Sequence, residues 1–487
     1  MAKAWQFYDA AGVLRNVKEP YIYAADGTLH KVKDGYFYDS AGVLRHFFTK
    51  ASPLGQQQIY APGYGTVART ATLYMDWVVP AGVTAIHVCC IGGGGSGGVK
   101  NTSPKGGGGG GGGLVYSNNV PVTPGETLRI YSGWGGAHAG TAQQVGKVGG
   151  QSYVSRGATM LVVANPGGAG AITSVNGAGG SGTISAGTGA VGVGGIGGYG
   201  STYPGGGGGA SGYGGAGGAG VSSNGSPAGN GYAGSAGGGG GGSGGPALTT
   251  VSWAGSGGGV GIFGVGASGA GGILQTTGTT ILGNGGAGSD GFEGAIDGNG
   301  YRYGGLYGAG GGGINLPSGN TNYSSSGGIG CVLIRWGVGN EFPTISIPNA
   351  QTWDFTMAPK PSGFGETGCL TMGNSGSMLG VALKGLPTVG NSAACYGVSW
   401  YTYNGAGNEY YYVMLGGLAS PVTDYTTLFR RLTIDGLGYL DVADAVPYVV
   451  DDYNVGNRAQ LIRWPVGYAH MSTGWIADTT YTARFSY

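Results

Sequence analysis

Charge is the scarcest thing in this chain. Its 487 residues hold 22 Lys and Arg against 21 Asp and Glu, 9% in all, for a net charge of +1. From Gly157 to Ser289 there is not one Asp, Glu, Lys or Arg. A near-neutral chain has no basic field with which to neutralise phosphates, so nucleic acid is not an expected partner. Disordered chains combine high net charge with few aromatics, whereas this one is 11% aromatic with 32 Tyr, which points to order. Long apolar runs are missing as well. No stretch reaches the ~18 residues of a membrane helix, so no membrane insertion is expected. The opening MAKAWQFYDAAG lacks the apolar core of a secretory signal. The expectation is a product made in a cytoplasm and, if it works outside, released by lysis or within a particle. Cysteine is sparse: Cys89, Cys90, Cys331, Cys369 and Cys395 are odd in number and form no CxxC, which suits buried thiols better than a disulfide framework. Only 20 Pro are present and no Gly-X-Y register, which excludes collagen.

The motifs of common chemistry are also missing. Lys105 precedes the eight glycines Gly106–Gly113, but a P-loop needs Lys after its glycines, then Ser or Thr, then a helix. Here a strand-like LVYSNNV follows. His30, His46, His87, His138 and His470 show no metal spacing and no HExxH. His87 lies in a strand-like run and reads as a structural histidine. Asp451 and Asp452, beside Tyr453 and Asn454, admit hydrolytic chemistry in principle, but such runs more often build turns. No catalytic, cofactor or metal site is assigned, and the chain is not expected to be an enzyme.

What is present falls into four pieces. Residues 1–50 carry a fifteen-residue repeat, with Tyr8, Tyr23 and Tyr38, Gly12, Gly27 and Gly42, and Leu14, Leu29 and Leu44 in step. Each unit reads as a β-hairpin closed by a glycine turn. Three such hairpins bury too little surface to stand alone, so a docking partner or symmetry mate is expected. Residues 51–70 read as a linker. Residues 71–337 read as a β-sandwich. Its strands are drawn from TAIHVCCI, LVYSNNVPV, TLRIYSG, SYVSRGATMLVVA and GCVLIRW, which are apolar or alternating and bounded by turn residues. Residues 338–487, where charge returns, read as a C-terminal antiparallel β-domain. The fold class is therefore all-β.

Glycine fills the sandwich: the chain holds 119, about a quarter, against roughly 7% in ordinary proteins. The inserts have register. Val193, Ile196 and Tyr199 are three apart with glycines between, as are Tyr213, Ala216 and Ala219. Three residues per turn is the period of an extended left-handed helix, which has no internal hydrogen bonds. Its amides must find partners, and glycine on two of three faces lets such helices approach and bond side by side. The inserts are therefore expected to be polyglycine-type helices, against the alternative of slack linker. In the C-terminal domain Trp400, Tyr401, Tyr411, Tyr448, Tyr453, Trp464 and Trp475 are candidate contacts, because Tyr and Trp give rigid contact area with a polar handle. Cross-strand core pairs would use the same residues.

The segments VPAGVTAIHVCCIGGGGSGG, VPVTPGETLRIYSG, GGQSYVSRGATMLVVANPGGAG and GCVLIRW resemble, in order and in their glycine junctions, the glycine-rich domain of bacteriophage tail-fibre and adhesin proteins. The resemblance spans about Thr72 to Trp336. It implies packed polyglycine helices, a place at the receptor-binding end of a virion tail, and no catalytic motif. It leads to the expectation of a tail-fibre or tail-tip protein. The hairpin repeats would bind other virion tail proteins, and the chain would attach to a bacterial surface glycan or outer-membrane protein, as a homotrimer. A structural virion protein, such as a head fibre or decoration protein, and a polysaccharide depolymerase are the alternatives.

Overall fold

A computed structural model of the chain describes most of 76–343, apart from 101, 103, 141–142, 223–228, 246–251, 263, 275–282, 290, 292, 295–301, 306, 316–322 and 338. It also describes 431–434 and 438–441, and elsewhere the backbone of strands alone. The described residues form strands, turns and extended stretches, with no helix among them. Two compact units divide the chain, Met1–Pro53 and Leu54–Tyr487. In the first, Gln6–Tyr8 pairs with Leu14–Asn16, Tyr21–Tyr23 with Leu29–Lys31 and Asp34–Tyr38 with Leu44–Thr49, each as a separate antiparallel pair.

The second unit is built on two antiparallel sheets. One contains Leu114–Pro121, Ala85–Ile91 and Cys331–Trp336 side by side; the other runs Gly182–Ile184, Thr159–Ala164, Ser152–Arg156, Thr127–Tyr131 and Tyr74–Val78. Alternate residues of the central strands, Ile86, Val88 and Cys90 with Val332 and Ile334, join Leu128, Ile130, Val154 and Val162 in one core. Trp77 and Trp336 belong to it too, their rings tilted with centroids 5.6 Å apart. The odd positions of the same strands, Cys89, Ile91, Cys331 and Leu333, face the opposite way into a second core with Tyr213, Val260, Ile262 and Tyr307. Burial on both faces is why HVCCI and CVLIRW are continuous apolar runs rather than alternating ones. The thiols of Cys89, Cys90 and Cys331 are free and buried.

The second core is where glycine enters. Within Gly106–Gly113 successive amides go to different neighbours and return to the same one every third residue. Gly107, Gly110 and Gly113 donate to Ala171, Gly168 and Asn165; Gly108 and Gly111 to Gly198 and Gly195; Gly109 and Gly112 to Gly311 and Gly308, all at 2.6–3.0 Å. The carbonyls are used in the same way: Gly92, Gly95 and Gly98 donate to Gly113, Gly110 and Gly107, while Gly205, Gly208 and Ser211 donate to Gly106, Gly109 and Gly112. Such proximity needs glycine, because a Cβ on Gly110 or Gly111 would stand well inside 3.0 Å of the carbonyl oxygen of Ala178 or Gly209. At the outer edge the three-residue pattern shows as burial. Val193 and Ile196 are exposed, Tyr199 half-buried, and the glycines between them buried.

The stretch read from sequence as a linker contributes a strand. Gly55–Tyr60 pairs with Cys331–Trp336 on one side and with Met378–Ala382 on the other. The sandwich sheet therefore runs on through Ala394–Thr402, Glu409–Leu418, Arg458–Pro465 and Val446–Val449 as one eleven-stranded sheet. A further five-stranded sheet ends the chain, with Thr480–Ser486 between Ala350–Thr356 and Arg431–Ile434.

Candidate functional site

The eight-glycine run offers no phosphate cradle, since every amide from Gly107 to Gly113 is already bonded to a backbone carbonyl. Among the described residues no group of three or more His, Cys, Asp and Glu could hold a metal ion, and no helix is long and apolar enough to cross a membrane. His87 is buried and accepts the Asn119 amide on Nδ1 at 3.4 Å. Burial holds its pKa below the ordinary value, although Glu341 pulls the other way. That is a structural histidine, as the sequence suggests. Burial pushes the Cys89 thiol up to about 12 and the Cys90 thiol well above its usual value, so neither is a nucleophile at neutral pH.

Two places gather aromatic residues. The first lies at the far end of the glycine stretch that leaves Ile91. There Val99–Lys100 pairs with Ile314–Asn315, which pairs in turn with Ser252–Trp253. Val99, Ala139 and Ile314 make a small buried cluster against which Trp253 packs. The Arg302 guanidinium lies over the Trp253 ring, 4.1 Å from its centroid, a cation–π distance. Next to Ala139, His138 packs on Tyr323 with ring centroids 4.6 Å apart. Lys100 Nζ is held by the Ile172 carbonyl at 2.9 Å. This end of the domain thus carries cations and rings, whereas its interior is glycine, serine and alanine. Sequence reading missed it: Trp253 and Arg302 are 49 residues apart and belong to no motif. The one available signal is that Arg302 is the first Lys or Arg after Arg156.

The second place lies in the later strands of the eleven-stranded sheet. Trp400 lies in Ala394–Thr402, Tyr411 in Glu409–Leu418 and Trp464 in Arg458–Pro465. Register sets Trp400 opposite Tyr411 and Tyr411 opposite Trp464, so three of the sequence-selected aromatics hold one cross-strand row. With strands ~4.8 Å apart, that row is ~10 Å long. Tyr401 stands opposite Tyr410 and Glu366 in the next row. Tyr448 is separate, opposite Leu461. Tyr453, Trp475 and the carboxylates Asp451 and Asp452 lie outside the described residues.

Against known families, residues 69–291 match the model of a glycine-rich domain. No curated protein matches the chain.

Proposed function

We propose that this chain is a bacteriophage tail-fibre or tail-tip protein that attaches the virion to the bacterial surface. The observation that carries the reading is the pairing of a charge-free glycine interior with a chemically distinct end. Its backbone groups are bonded to one another, while the far end bears Arg302, Trp253, His138 and Tyr323. A rigid body with dense backbone bonding suits a part that must survive outside a cell, and aromatic and cationic groups gathered at one end suit recognition. On this reading the glycine stretches are polyglycine-type helices of three residues per turn. The every-third-residue return of their hydrogen bonds supports that, as does the outward spacing of Val193, Ile196 and Tyr199. The hairpins of 1–50 would dock on other tail proteins, the working form would be a homotrimer, and the row Trp400–Tyr411–Trp464 would be a second contact surface.

The test is adsorption of the fluorescently labelled full chain to host cells. Saturable binding that unlabelled chain competes away is expected. Absence of binding, with tight docking to purified capsids or tails, would move a purely structural virion role ahead. Release of reducing ends from host polysaccharide, lost in Asp451→Asn or Asp452→Asn, would instead indicate a depolymerase. Sedimentation equilibrium checks the trimer, and a monomer at micromolar concentration would remove it.

A further inference from the structure

Arg302 is an anomaly in this molecule. It is 7% exposed, yet Nε and Nη1 of its guanidinium are buried without a hydrogen-bond partner among the described residues. Burial pushes its pKa down to about 10, and no neighbouring carboxylate acts to raise it. Arg129 pairs with Asp76, Arg156 with Glu126 and Arg431 with Asp441; Arg335 also buries an Nε and Nη1 unpartnered among the described residues, but its Nη2 donates to Asn340 Oδ1. A desolvated cation with orphaned donors is costly, and natural proteins seldom keep one without a counter-charge. The side chain is nonetheless held in place. Its guanidinium lies over Trp253 at 4.1 Å, and its own carbonyl accepts the Ser326 amide at 2.9 Å. The indole in turn packs against the buried cluster of Val99, Ala139 and Ile314.

We propose that Arg302, positioned by Trp253, is a binding site for a single monoanionic oxyanion group: the carboxylate of an acidic sugar or the phosphodiester of a surface polymer. One buried cation is neutralised by one negative charge. A guanidinium fixed in place offers donors at set angles, which suits an anion with at least two oxygens. Trp253 is a positioning residue and Arg302 the binding residue. That the anion belongs to a host-surface polymer rests on the attachment reading; the site itself does not.

The experiment is calorimetric titration of the full chain at low salt with sodium glucuronate, with dimethyl phosphate and with the neutral methyl ester of glucuronic acid, in wild type and in Arg302→Met. At ordinary ligand efficiency, a ligand of glucuronate's size gives a Kd of about 1 mM. Saturable binding of one anion, none of the ester, and at least tenfold weakening in Arg302→Met are expected; which anion binds identifies the source. Thermal unfolding of the unliganded proteins adds a second readout. Removing an unpaired buried cation should leave Tm unchanged or higher, whereas a structural arginine would lower it. No saturation by either anion, equal binding by the variant, or equal binding of the ester would overturn the site. Adsorption of wild type and Arg302→Met to host cells separates the two claims. If wild type binds an anion through Arg302 but does not adsorb, the attachment reading fails and the site stands.

Discussion

Single residues decide whether the glycine interior can close. Gly197 and Gly215 lie in the two stretches whose three-residue spacing is visible in the sequence. A Cβ at Gly197 would meet the Gly108 carbonyl oxygen, and one at Gly215 would meet Ala236 Cβ and the Ser235 carbonyl oxygen, all inside 3.0 Å. Backbone atoms bonded on every side cannot move aside, so Gly197→Val and Gly215→Val should each cost ~3 kcal/mol or more. Gly125 is the control. Its φ is +83° with nothing within 4 Å of a Cβ, so Gly125→Ala should cost only ~1–2 kcal/mol of left-handed strain. Calorimetric Tm values that rank all three variants together would remove the close-packing argument. His87 makes a second prediction. Its folded pKa lies below the ordinary 6.5 because burial disfavours the imidazolium. The unfolded chain therefore binds the proton more readily. The contribution is whole above about pH 7 and is lost as pH falls from there through the folded pKa. Tm measured from pH 8 to pH 5 should fall more steeply in wild type than in His87→Gln, and parallel profiles would show that His87 titrates alike in both states.

At the scale of elements, Leu114–Pro121 does more than pair. Asn118 donates Nδ2 to the Phe342 carbonyl at 2.6 Å and accepts the Phe342 amide on Oδ1 at 2.9 Å. Asn340 Nδ2 donates to the Trp336 carbonyl at 2.6 Å while its Oδ1 accepts from Arg335. The chain leaving the last sandwich strand is thereby clamped at two points, with Phe342 seated in the second core near Tyr116 and Tyr213. Asn118→Ala removes two hydrogen bonds, worth about 2 kcal/mol together, and should open 337–343 to limited proteolysis before global unfolding. Cleavage there at the wild-type rate would show that the clamp does not hold the segment. The strands flanking this clamp were legible in the sequence because TAIHVCCI and GCVLIRW are apolar on both faces and glycine bounds them. The three-residue spacing of Val193 and Ile196 was legible too, since outward side chains interrupt a glycine background. The strand Gly55–Tyr60 was not. Its GQQQIY is polar and sits among Pro and Gly, and its place depends on Cys331–Trp336, some 270 residues later, offering an open edge. Nor was Arg302 on Trp253 legible, because nothing local in either segment refers to the other. The row Trp400–Tyr411–Trp464 was legible as composition; its alignment comes from strand register.

The whole molecule poses one energetic question: how so much glycine stays ordered. Each ordered residue costs ~1–2 kcal/mol of backbone entropy, and glycine sits at the high end. Side-chain burial cannot offset this within Gly106–Gly113, which has no side chains to bury. The compensation must come from backbone hydrogen bonds, each worth ~1 kcal/mol net, together with close packing of stretches that exclude water. Neither is available to one stretch alone, because the partners of Gly106–Gly113 lie around residues 92–98, 165–171, 195–198, 205–211 and 308–311. The interior should therefore form and open as one cooperative unit with the sheets that anchor its ends, and local fraying should be confined to the edges. Native-state hydrogen exchange resolved to short peptides checks this. Amides of Gly107–Gly113 are expected to exchange as slowly as those of Ala85–Ile91, with one shared opening free energy under increasing denaturant. The stretch around Val193 and Ile196, at the surface, should exchange earlier. A slack glycine linker would instead lose its amide protons at the rate of an unstructured peptide, and that result at Gly107–Gly113 would remove the rigid interior on which the attachment reading depends.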